Sequence, residues 1–288
     1  VKYRLALGLW IGATPSVLCS QAADRGAHPH EPSGFVRFAE NPGVLNSDGS
    51  QDVIGRWVFE RKRGMREAEE PDAPASPPGV LQTFYPADLE AGRAPTLWSG
   101  WDSAGQYDGQ KSKVYFSLWL RIRGQDFENQ AVGTKMGFWG YGRDPDRTAD
   151  NQGFFLLRGR GKQEIAHAFR VEYLQQGHVV RIVKPNLVQR PLFTAGEWHH
   201  WEAVFEMNDP RLTNGVLKMW IDGQQTMDFR NMVYATRDAQ NAFYNYTWNP
   251  TWGGRGGRRT RADVIEFDHV YLSGVAAPGK AVRKPGPQ

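Results

Sequence analysis

Residues 114–122 alternate without a break: Val114, Phe116, Leu118, Leu120 and Ile122 face one way, and Tyr115, Ser117, Trp119 and Arg121 face the other. Successive side chains of a strand point to opposite faces, so this segment predicts a strand with one side packed on a core. Shorter runs of the same kind fall at 54–60, 80–85, 134–141, 153–159, 166–174, 178–184, 197–207, 215–222 and 263–273. Turn chemistry separates them. Asn214-Gly215 and Asp222-Gly223 flank a run that reads GVLKMWIDG, the dipeptides that favour tight hairpins. The 288 residues include 32 Gly, 18 Pro and 11 Trp, which suits many short strands and opposes a coiled coil, a collagen-like fibre or a wholly disordered chain. No convincing long helix interrupts the strands, so the expected fold is all-β, a sandwich of two packed antiparallel sheets.

The ends differ from the middle. Lys2 and Arg4 precede an apolar stretch at 5–18, and Ser20-Gln21-Ala22 follow with small residues. This three-part pattern predicts a signal peptide over 1–23, and hence a secreted or periplasmic protein of bacterial type. Gly8, Gly12 and Pro15 would make that stretch a poor buried helix. The single cysteine, Cys19, would leave with the signal, so no disulfide is expected and core burial must hold the fold. Residues 24–34 read as a polar linker and 35–274 as the sandwich domain. Within it, 61–79 is charged and Pro-rich and reads as an exposed irregular excursion. Residues 275–288 read as a mobile basic tail.

The whole chain is formally +4, but Lys2, Arg4, Lys280, Arg283 and Lys284 sit at the ends and residues 35–274 sum to zero. A global field that attracts nucleic acid is therefore not expected. Arg255, Arg258, Arg259 and Arg261 read as a flexible, solvated basic loop. No membrane span is expected after signal removal.

The block at 196–205, GEWHHWEAVF, followed by GVLKMWIDG at 215–223, resembles a strand pair of the concanavalin A-like jelly rolls. That group holds lectin modules, laminarinase-type hydrolases and alginate or heparin lyases. The segments VLQTFYP at 80–86, KVYFSLW at 113–119, NPTWGG at 249–254 and FDHVYLSG at 267–274 are similar to exported bacterial proteins described as polysaccharide-lyase-like or lectin-like. The resemblance spans about 80–274. It implies a concanavalin A-like β-sandwich in which one sheet is curved and carries a polymer on its concave face. It also implies a structural Ca²⁺ at Asp268; no other cofactor is expected.

Alternation supplies the candidates for that face. Met136 and Phe138 read as core, turning Lys135, Trp139 and Tyr141 outward; Phe169 and Val171 read as core, turning Arg170 and Glu172 outward. Arg158 shares a face with Phe154 and Leu156, and Lys218 and Trp220 lie opposite Leu217, Met219 and Ile221. His167 falls on the core side. Outward aromatics can stack on sugar rings, and Arg or Lys can hold a uronate carboxylate. A β-eliminating lyase needs a cation to neutralise that carboxylate and a base for the C5 proton. Lys135, Arg170 and Tyr141 are the expected catalytic set, with Trp139, Arg158, Glu172, Lys218 and Trp220 binding substrate. The hydrolase signal is poor. Glu266 and Asp268 lack the third acid of the laminarinase pattern, Tyr271 standing in its place, and Glu197 and Glu202 face opposite sides of a strand. The expected function is therefore a secreted lyase acting on a uronic-acid polysaccharide. A non-catalytic carbohydrate-binding module and a structural surface or matrix protein remain the alternatives.

Overall fold

The computed structural model describes residues 28–45, 57–61, 64–102, 109–124, 127–128, 133–141, 151–158, 164–173, 179–209, 212–235, 242–254 and 256–278. The expected signal peptide and most of the expected tail lie outside them. In chain order the strands are β1 (Val36–Asn41), β2 (Val58–Arg61), β3 (Met65–Glu69), β4 (Gly79–Tyr85), β5 (Leu97–Asp102), β6 (Lys111–Arg123), β7 (Thr134–Tyr141) and β8 (Asn151–Arg158). There follow β9 (Glu164–Tyr173), β10 (Val179–Val183), β11 (Phe193–Thr194), β12 (Trp198–Glu206), β13 (Gly215–Ile221), β14 (Gln224–Met232), β15 (Phe243–Trp248) and β16 (Asp263–Ala276).

They form two antiparallel layers. One runs β3-β4-β16-β6-β12-β13-β14, with β1 on the same flank of β16 as β4; the other runs β2-β5-β15-β7-β8-β9-β10, with β11 on β9. A single pair, Phe243 with Lys111, links the layers at one corner. The core lies between them, where the rings of Phe155 and Trp201 meet at 4.1 Å and those of Phe116 and Trp139 at 5.7 Å. The alternation in β6 is the reason it sits at the centre of its layer. Val114, Phe116, Leu118 and Leu120 are fully buried, and β6 pairs with β16 on one side and β12 on the other.

The predicted hairpin closes as its sequence requires. Asp222 and Gly223 both have positive φ, 50° and 75°, and Ile221 pairs with Gln224, a two-residue turn whose twist matches that of the strands. Among the described residues no helix is long and apolar enough to cross a membrane, which says nothing about strands.

Several expected boundaries shift. Residues 28–34, expected as linker, cross the outer face of the first layer, where His28 stacks on Tyr271 at 3.8 Å and His30 on Trp220 at 4.5 Å. In the 61–79 excursion, β3 pairs with β4, and the Ala75 and Ser76 N–H groups donate to Asp268 at 2.7 and 3.0 Å. Two of its acids are matched, since Arg121 donates to Asp72 at 2.7 Å and to Glu70 at 2.8 Å. Residues 275 and 276 continue β16. Arg259, expected in a solvated loop, is 1% exposed; it pairs with Asp263 and lies 5.1 Å from the Tyr85 and Phe127 ring centroids. Composition cannot show that Tyr85 and Phe127, far away in the chain, enclose this guanidinium.

Candidate functional site

The outer face of β7, β8 and β9 collects part of the expected set, and one glycine decides which part. Gly137 adopts φ 56° and the β7–β8 register slips between Met136 and Phe138. A bulge inserts one residue and so reverses the facing of everything after it. Met136 and Trp139 therefore both point into the core, and Phe138 turns outward. Trp139 and Tyr141, expected on the outer face, are fully buried between the layers. Trp139 packs against Tyr246 at 4.6 Å and Phe205 at 4.9 Å. The Tyr141 hydroxyl donates to the Gln152 carbonyl at 2.7 Å. Neither ring can touch a ligand lying on the face.

Pairing across the strands fixes what the face presents. One row reads Asn245, Gly140, Gln152, Glu172 and Val180; the next reads Ser99, Thr247, Phe138, Phe154, Arg170 and Ile182. Lys135, Leu156 and Ala168 make a third row, and Arg158 with Ala166 a fourth. Lys135, Arg170, Glu172 and Arg158 are thus brought together as expected. Lys135 Nζ lies 5.2 Å and the Arg170 guanidinium 5.5 Å from the Phe154 centroid, within cation–π range. Arg170 bonds Glu172 at 2.5 Å, and Gln152 Nε2 donates to the same carboxylate at 2.6 Å. Arg170 Nε is buried without a partner. Burial pulls the Lys135 ammonium below the usual lysine range, with Glu172 opposing that shift and Arg170 adding to it.

Sequence reasoning missed Tyr244. A side chain on Gly140 would collide with the Tyr244 ring at 2.6 Å, so the ring occupies the space that this outward-facing glycine leaves open. Asn245 Oδ1 accepts the Gly140 N–H at 2.7 Å, and the register slips between Phe243 and Asn245. The run FYNYTW carries a tyrosine at every other position, but the slip alone sets the Tyr244 ring beside the outer-face Gly140, where it is 4% exposed, while Tyr246 stays in the core. Beyond the third row, Arg158 borders a cavity of about 710 Å³ between β8, β9 and the segment 184–191.

Lys218 and Trp220 lie elsewhere, on the outer face of the opposite layer. Trp220 is half-buried beneath His30, the two rings stacked at 4.5 Å. His30 Nδ1 meets Glu202 Oε2 at 2.8 Å, and the Tyr115 hydroxyl donates to Glu202 Oε1 at 2.6 Å. Ser117 Oγ is shared by His200 Nε2 at 2.8 Å and His28 Nδ1 at 3.2 Å. The hydroxyl is buried under the His28 side, and Glu202 is engaged by Tyr115 and His30. The group works as a clasp for residues 28–31, not as a nucleophile. Glu266 is likewise consumed, accepting from Gln82 at 2.6 Å, Arg121 at 2.6 Å and Arg123 at 2.8 Å.

Asp268, where the resemblance implied a structural Ca²⁺, keeps Oδ1 buried without a hydrogen-bond partner. Such an ion takes about six to eight oxygens. Here Oδ2 already accepts two backbone N–H groups, and burial pushes the carboxyl upward, against the charged form. Among the described residues no group of three His, Cys, Asp or Glu could hold a metal.

No protein-family model matches the sequence, and no curated protein matches it. Solved structures do. An endo-β-1,4-glucuronan lyase from the fungus Trichoderma reesei aligns over 83% of this chain and 96% of its own, at 14% identity and a TM-score of 0.54. A PL-14 alginate lyase from Aplysia kurodai aligns over 82% and 98%, at 10% identity and a TM-score of 0.53. An alginate lyase variant in complex with alginate tetrasaccharide aligns over 69% and 82%, at 14% identity and a TM-score of 0.50. At these identities the likeness is one of fold: an all-β jelly-roll sandwich.

Proposed function

We propose that this protein is a secreted lyase that cleaves a uronic-acid polysaccharide by β-elimination on the outer face of β7, β8, β9 and β15. The observation that carries the reading is the gathering of Lys135, Arg170, Gln152 and Glu172 around the apolar floor of Phe138, Phe154 and Leu156, with Tyr244 filling the opening over Gly140. The fold shared with glucuronan and alginate lyases supports it by analogy of scaffold.

Chemistry on such a face divides among these side chains. Lys135 and Arg170 hold the carboxylate at C6, which spreads the negative charge that grows as the C5 proton leaves. Glu172 and Gln152 fix the Arg170 guanidinium. Tyr244 exchanges the proton: C5–H breaks, the C4–O bond breaks, a C4=C5 double bond forms, and the departing oxygen is protonated. Incubation with polyglucuronate, alginate and pectate, followed by ultraviolet absorbance of the unsaturated product, is the test. Elimination from at least one polymer is expected. Binding without any absorbance change would identify the same face as a non-catalytic carbohydrate module.

A further inference from the structure

The two edge strands that complete the second layer leave a gap. β10 pairs with β9 from Phe169 to Tyr173, and β11 pairs with it at Ile165 and Glu164. Between these pairings Ala166, His167 and Ala168 have no partner strand on that edge among the described residues. Segment 184–191 bows away from them, with the Asn186 and Leu187 N–H groups donating to the Thr226 carbonyl at 3.2 Å. The space left is the cavity of about 710 Å³. That is within the usual range for a small-molecule site, roughly 300–1,000 Å³.

Its lining has a definite chemistry. Arg158, Lys184 and Arg190 border it, and none has a carboxylate within 4 Å among the described residues. Several other arginines are matched, as in Arg37 with Glu40, Arg123 with Glu70 and Arg258 with Glu90, whereas Arg66 and Arg181 meet amide groups of Gln82 and Asn231. Lys184 and Arg190 are exposed and Arg158 half-buried, so an anion entering this concavity meets all three. Ala166, Ala168 and Val188 give the same cavity an apolar wall. The unpaired strand edge adds backbone groups able to bond hydroxyls.

We propose that this cavity is a second saccharide site, which holds one carboxylated sugar residue of an acidic polysaccharide through Arg158, Lys184 and Arg190. It rests on the reading of the adjoining face. Ala168 shares a row with Lys135, and Ala166 shares one with Arg158, so the cavity continues the same surface. A polymer lying across the rows would reach the cavity beyond the Lys135 row and be held in register there.

The experiment is calorimetric titration of the full chain with a glucuronate oligosaccharide and with the same oligosaccharide after reduction of its carboxyl groups. The variant R158Q/K184Q/R190Q is compared with wild type, and K218Q on the opposite face serves as control. Wild type should bind the carboxylated ligand at least about tenfold more tightly than the reduced one. The triple variant should bind the carboxylated ligand at least about tenfold more weakly than wild type, keeping only the part of the preference due to Lys135 and Arg170, and K218Q should keep the wild-type affinity. Because all three residues border solvent, circular dichroism and thermal unfolding of the triple variant should match wild type. Unchanged binding by the triple variant, equal binding of both ligands, or no binding by wild type would each overturn the proposal. Elimination is assayed separately. Y244F that no longer cleaves yet retains the carboxylate preference supports both assignments. A wild type that binds with the preference but never cleaves leaves the cavity standing and removes the lyase reading.

Discussion

Gly137 carries more of the site than any charged residue, because its bulge sends Trp139 inward. Trp139→Ala should cost about 3–5 kcal/mol of stability, the range for losing a large buried aromatic, read as a lower urea midpoint. The residues assigned to elimination should behave differently. Tyr244→Phe should lower elimination about 100-fold or more and leave polymer binding within about twofold, separated by comparing kcat with KM. Lys135→Ala should weaken both. Lys135, Arg170 and Glu172 were legible in the sequence because β9 runs without a slip and Lys135 precedes the bulge. Tyr141 and Trp139 were not, because φ at a glycine is invisible to alternation. The two imidazoles with the lowest pKa set an acid limit. Burial holds His167 down to about 4, and burial with the nearby His269 and His200 holds His28 down to about 3. Both are neutral in the folded chain while unfolded histidine titrates near 6.5. The unfolded state therefore binds more protons below 6.5, so stability falls with pH between there and about 4. Thermal midpoints measured across that window should fall, and His167→Phe should flatten the slope.

Segment 28–35 is the element whose role changes most between sequence and structure. Its composition is polar and reads as linker, yet its histidines meet rings and a buried carboxylate contributed by β12, β13 and β16. His30→Ala removes the stack on Trp220 and one partner of Glu202, leaving Tyr115 as the remaining side-chain donor at 2.6 Å. The expected cost is about 1–3 kcal/mol, with a change in Trp220 fluorescence as that ring meets water. Elimination should be unaffected, because this face lies across the core from Lys135. The same logic applies to the stretch before β4: its charges looked solvated until Arg121 and Arg123 supplied partners from β6.

At the scale of the molecule, charge and cysteine content make separate predictions. Residues 35–274 carry no formal net charge, so polymer affinity depends on local cations and not on a global field. Raising salt from about 0.05 to 0.5 M shortens the screening length to a few ångströms and should weaken polyuronate binding about tenfold or more, with neutral oligosaccharides unaffected. With one cysteine in 288 residues no intramolecular disulfide can form, so a reductant should leave the melting temperature unchanged.

Alternation at 114–122 and the Asp222-Gly223 turn were enough to specify an all-β sandwich, because both are local consequences of how one strand or one turn orders its own backbone. Which side chains share a surface is not local. It depends on where register slips, on which strand lies alongside, and on what crosses a face from far away in the chain. Two slips, at Gly137 and before Asn245, buried one expected tyrosine and set another against the outer-face Gly140. The stretch between β10 and β11 opened a cavity that no periodicity announces, since a missing strand pairing exists only once both neighbours are in place.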